Sequence, residues 1–164
     1  MGAVTVYSNA VLAGVTPDHC IPAGVVLSRT GYYKNTATSA ALDQNSVIQL
    51  IPMPAGAQLL DLIIVWSALG ASRTLDVGIG DDVDMFFDGL DAEHAGNARL
   101  GGALVNNAAD DITMGDSMLV DVYPYEFTAN DTIDVKVLGA DFPDDAELAG
   151  VAIYKQEGAI ADET

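Results

Sequence analysis

Basic residues are scarce in this chain: six Lys and Arg stand against twenty-four Asp and Glu, a formal net charge of −18. Gripping a nucleic-acid backbone takes clustered cations that release counterions, so this balance argues against direct nucleic-acid binding. Cysteine is reduced to Cys20, which excludes an intrachain disulfide and a thiolate metal cage. The two histidines, His19 and His94, are too far apart in sequence for the ligand couples of a zinc site. Long apolar runs are also missing. A membrane helix needs about 18 or more uncharged apolar residues, and the longest run here is interrupted by Asp61. No basic segment precedes an apolar one at the start, so the expectation is no signal peptide and a chain made in the cytoplasm, without a membrane partner. Gly-x-Ser-x-Gly, a Gly-rich phosphate loop with its Lys, and a Cys-His partnership are all absent, and among so many aspartates no catalytic carboxylate pair stands out. The chain reads as a non-enzyme with no cofactor.

What is present is apolar alternation. Half of the 164 residues are hydrophobic and the mean hydropathy is +0.27, so the chain can bury a core without staples. The organising stretch is 54–91. It opens on a Pro-Ala-Gly turn, runs apolar through 59–66, turns at Gly70-Ala71-Ser72 and returns through Leu75, Val77 and Ile79, the pattern of a β-hairpin. In its first strand Leu60, Leu62, Ile64 and Trp66 fall on one face and Leu59, Asp61, Ile63 and Val65 on the other. Both faces are apolar except at Asp61, which predicts a central strand with Trp66 in the core.

Further strands are expected at 3–7, 25–33, 46–51, 117–123, 131–138 and 148–155. Pro52 and Pro54 cannot donate to a ladder and should mark a strand end. Residues 37–45 are a small, polar connector. The segment 81–116, rich in Asp, Gly, Asn and Ala, reads as a long acidic loop with one helical turn at 83–87. The sum is one all-β domain: a β-sandwich of jelly-roll type with seven or eight strands over 25–156, an N-terminal strand and extended arm over 1–24, and a flexible tail at 157–164.

Two groups of side chains are candidates for function. Asp81, Asp82, Asp84 and Asp88 offer the oxygen ligands that Ca²⁺ takes, although the spacing of a helix–loop–helix calcium site is absent. Arg29, Tyr32, Tyr33 and Lys34 form a short basic-aromatic segment on an acidic body. Together with the N-terminal Val4, Val6 and Tyr7, residues Arg29, Tyr32 and Tyr33 are the candidate contacts with a neighbouring subunit or shell.

The runs IPMPAGAQLLDLII, LDVGIGDDVDMFFDGLD and PYEFTANDTIDVKV, in this order over 51–137, resemble small virion proteins of tailed bacteriophages. That resemblance implies a structural role on the virion: a head decoration or cement protein on the outer capsid surface, partnered by the major capsid protein and by itself as a homo-oligomer, a trimer. A tail, fibre or head-tail joining component is the alternative within that class. From another class comes a carbohydrate-binding sandwich module, which would need Trp66, Tyr32, Tyr33 and Tyr123 on an exposed platform.

Overall fold

The computed structural model describes residues 5–7, 25–36, 42–100 and 124–156. They form nine strands and no helix: β1 Thr5–Tyr7, β2 Val25–Lys34, β3 Val47–Met53, β4 Ala57–Trp66, β5 Thr74–Ile79, β6 Asp82–Asp91, β7 Gly96–Arg99, β8 Asp131–Leu138 and β9 Glu147–Gln156. Two sheets result, a five-stranded one in the order β1-β3-β8-β5-β6 and a four-stranded one in the order β2-β9-β4-β7. Every pairing is antiparallel except that of β1 with β3.

The sheets face each other across one buried apolar cluster. Ile48, Ile51 and Met53 of β3, Ile133, Val135 and Val137 of β8, and Leu75 and Val77 of β5 come from the first sheet. Leu59, Leu62, Ile64 and Trp66 of β4, with Leu148, Ala152 and Tyr154 of β9, come from the second. This is the alternation of a half-buried strand, one side chain in and the next out. β4 lies between β9 and β7, central as expected, and Trp66 is buried with its indole N–H donating to the His94 carbonyl at 3.0 Å. A Cβ at Gly96 would sit 2.6 Å from the Trp66 ring, so glycine there lets the ring lie against the strand.

The structure corrects the sequence reading at three places. The segments 59–66 and 75–79 are not a hairpin, because β4 and β5 belong to opposite sheets. The connection arches across the end of the sandwich, where Leu69 is buried as a plug. Its backbone is tied to the β6–β7 connection by Leu69 N–H to Ala92 O at 2.9 Å and Gly70 N–H to Glu93 O at 3.2 Å. Ser72 takes the left-handed conformation, φ 64°. Second, the start of the acidic segment is ordered strand. Gly80 and Asp81 form a tight turn, with Ile79 opposite Asp82, and β6 then β7 occupy most of 82–99. The helical turn expected at 83–87 is therefore β6, with Phe86 and Phe87 both buried where the pairing register slips between Val77 and Ile79. Third, β4 carries a bulge between Leu59 and Asp61, which shifts its phase so that Leu59 points inward with Leu62, and Leu60 leaves the core row.

Pro52 lies inside β3, opposite Thr132, beyond the part of the strand that β1 covers, so its missing N–H costs no ladder bond. The strand expected at 117–123, the arm beyond β1, and the tail lie outside the described residues. Only the β5–β6 connection joins two strands of one sheet among those described; the others cross between layers.

The two outer faces as candidate contact surfaces

Because the inner faces are filled by the core, whatever the protein recognises must be read from the outer faces and the edges. The two sheets differ sharply there. On the five-stranded sheet the outward positions of β8 are Thr132, Asp134 and Lys136. Asp134 lies opposite Gln49 of β3 and Gly78 of β5, and Lys136 lies opposite Val47 and Asp76. Asp134 and Asp76 are both buried, at 2% and 5% exposure. Burial pushes the Asp134 carboxyl up to about 6, opposed by the hydrogen bond from the Thr132 hydroxyl and reinforced by the charge of Asp131. Asp76 is raised as well, first by burial and then by Asp88 and Asp84, while the backbone N–H of Gly89 at 2.9 Å and the charge of Lys136 work the other way.

The edge of that sheet is β6, whose Asp82, Asp84 and Asp88 are exposed. The Asp82 carboxyl is raised, chiefly by a side-chain hydrogen bond with Asp84 and then by burial. Charged residues along a ten-residue edge also discourage stray strand pairing. Asp81 sits in the turn before β6. Among the described residues, no three His, Cys, Asp or Glu side chains gather as a metal site.

The four-stranded sheet presents a different surface. Every large exposed hydrophobic side chain found among the described residues is on it: Val26 at 59%, Val65 at 45% and Tyr32 at 41%. The register places Tyr32, Ala149 and Val65 in one cross-strand row, and Thr30, Val151 and Ile63 in the next. Much of the charge on this sheet is paired. The Lys34 ammonium is 3.1 Å from Glu147 and 3.7 Å from Asp145. The Arg99 guanidinium holds Asp61 with Nε at 2.6 Å and Nη2 at 2.5 Å, the diagonal pairing allowed by Ile63 lying opposite Arg99. Asp61, 6% exposed, also accepts the Leu62 N–H at 3.0 Å.

The basic-aromatic segment of β2 is split by its own alternation. Tyr32 and Lys34 point outward. Arg29 and Tyr33 point inward: Arg29 donates to the Tyr154 hydroxyl at 3.3 Å and to the Pro52 carbonyl at 2.9 Å, tying β2 and β9 to β3. Tyr33 is buried with its ring 6.1 Å from Phe142. Arg29, Tyr32 and Tyr33 therefore do not form one patch, and a sugar platform combining Trp66, Tyr32 and Tyr33 is not assembled either. Of the N-terminal candidates, Val6 and Tyr7 lie on β1, opposite Ile48 and Gln49, and Val4 is outside the described residues. The sequence reading put Ile63 and Val65 on the second apolar face of β4, a face that meets either the other layer or another subunit; it missed the outward Val151 and Ile153, whose signal was the two-faced apolarity of β9.

No protein-family model matches the sequence, and no curated protein matches it. Two solved structures share the fold. A chain in the capsid of Ralstonia phage GP4 superposes with a TM-score of 0.66 at 17% identity, over 94% of this chain and 99% of that one. A chain in the Cyanophage Pam1 capsid asymmetric unit superposes with a TM-score of 0.57 at 17% identity, over 87% and 91%. Both alignments run nearly end to end on each side, so the matched chains are close to this one in length. At these identities the likeness is one of fold.

Proposed function

We propose that this chain is a non-enzymatic structural protein of a phage virion, a head decoration or cement protein that binds the outside of the capsid and stabilises the shell. The observation that carries the reading is the near end-to-end fold likeness to chains in two phage capsids. A sandwich with two broad outer faces suits a piece added to a shell, where many weak contacts repeated by symmetry hold it in place. The sheet orders β2-β9-β4-β7 and β3-β8-β5-β6 alternate early and late strands across each layer, which supports reading the sandwich as a jelly roll, an architecture used by viral capsid domains.

The shell contact is assigned to the N-terminal arm, with Val4, Val6 and Tyr7 in it. β1 is a three-residue parallel addition at the edge of the five-stranded sheet, and the same kind of addition to a neighbour's edge would tie the chain to the major capsid protein. The test is co-sedimentation of purified protein with expanded heads that lack it. Saturable binding at a fixed ratio to the capsid protein is expected. Protein that stays in the supernatant at all concentrations, with heads shown to be intact, would contradict the reading.

A further inference from the structure

The outer face of the four-stranded sheet has no role in the arm-mediated attachment above, yet among the described residues it is the surface that carries the large exposed hydrophobic side chains. Val26, Tyr32 and Val65 are its most exposed members, and Ile63, Val151 and Ile153 lie between them, half-buried. A contiguous apolar patch with a polar rim marks a contact surface. We infer that its occupant is a second copy of this chain, packed face against like face.

Charge decides who the occupant is. The chain carries a net −18, and the five-stranded sheet and β6 edge hold Asp76, Asp82, Asp84, Asp88 and Asp134, so two copies meeting through those surfaces would oppose carboxylates. Four of the six basic residues lie on the four-stranded sheet instead: Arg29 points inward, and Lys34, Arg99 and Lys155 are on its outer side. Two of them are already matched to carboxylates of the same face, Lys34 to Glu147 and Asp145, and Arg99 to Asp61. With these two pairs the face carries little net charge, so covering it costs less than covering the acidic sheet. A basic partner would find no free carboxylate row to pair with there, whereas an identical face of little net charge is complementary to it.

The area sets the strength. Four strands about 4.8 Å apart and about eight residues long at roughly 3.4 Å each cover about 500 Å² per copy. Pairing would bury about 1,000 Å² in total, the lower limit for a specific interface, so a reversible dimer with a dissociation constant in the micromolar range is expected. Like-face pairing closes with two-fold symmetry, in place of the trimer that the family resemblance implies.

The test is mass in solution by light scattering and sedimentation velocity on the full chain, from about 1 µM to a few hundred µM, bracketing the expected constant. The weight-average mass should climb from 17.0 kDa toward twice that value. Raising salt from about 50 mM to about 500 mM should tighten the pairing, because it screens the repulsion of two acidic bodies and leaves the apolar contact intact. Val65→Lys should weaken association about tenfold or more with an unchanged thermal midpoint, while Asp84→Lys on the acidic edge should not weaken it. A monomer across the whole range, association that salt dissolves, or an oligomer indifferent to Val65→Lys would each overturn the inference. None of these outcomes depends on capsid binding, so the decoration reading stands or falls separately.

Discussion

Replacing Asp134 by Asn should make this protein more stable at neutral pH and erase part of its pH dependence. The Asp134 carboxyl is 2% exposed and raised from 3.8 to about 6. A carboxyl whose folded value lies above its unfolded value binds its proton more tightly in the folded state. Its stabilising contribution is complete below about 3.8 and is lost as pH rises through about 6. A shift of about two units corresponds to about 3 kcal/mol. In a domain of this size that is about 6–12 °C in thermal midpoint. Asn cannot ionise but keeps an oxygen to accept the Thr132 hydroxyl bond now made to Asp134. Denaturant melts of both proteins from about pH 8 to about pH 4 check this: the variant should lead by up to about 3 kcal/mol at the alkaline end, and the two curves should converge near pH 4. Comparing the pair cancels the relief of general acidic repulsion, which both share. A gap that does not change with pH, or a variant that is weaker throughout, would refute the claim that ionised Asp134 is held at a cost.

Other expectations follow from packing. Leu69→Ala removes the plug from the β4–β5 arch, where the side chain is 2% exposed, and should cost about 2–4 kcal/mol in chemical denaturation. Gly31→Ala places a Cβ against the Leu50 carbonyl of β3; the backbones must part, and a loss of about 3 kcal/mol or failure to accumulate as folded protein is expected on expression and melting. Deleting residues 2–9 removes the three-residue β1 from the edge of β3 and should leave the sandwich folded in a cooperative melt while weakening co-sedimentation with heads; equal binding would remove the arm from the shell contact.

Much of the fold was legible because the core strands obey the two-residue rhythm. β8, with Ile133, Val135 and Val137 inward, and β9, with Leu148, Ala152 and Tyr154 inward, could be placed from the sequence within a residue or so. Partner choice was not legible in the same way. The turn at Gly70-Ala71-Ser72 looks the same whether the chain doubles back or crosses to the other sheet; buried Leu69 beside it was the one hint of a crossing, since a hairpin tip would leave that side chain in water. β6 was hidden by composition. Asp is a poor strand former, yet Asp82, Asp84 and Asp88 occupy the solvent side of an edge strand, where the penalty is small. The contact candidates suffered from being read as a cluster in sequence. Neighbouring residues of a strand face opposite ways, so Tyr32 and Tyr33 could never have shared a surface. Asp61 was noticed as the one interruption of an apolar strand, and its partner Arg99 lay too far along the chain to be inferred without the β4–β7 register.

An electron cryomicroscopy map of the native particle bears most directly on the central claim that this sandwich is an adhesive piece of a phage shell. Density fitting the two sheets should repeat over the outside of the head, with the N-terminal strand reaching a neighbouring subunit. A particle whose head shows no such density, with the chain found in the tail or missing from purified virions, would contradict it.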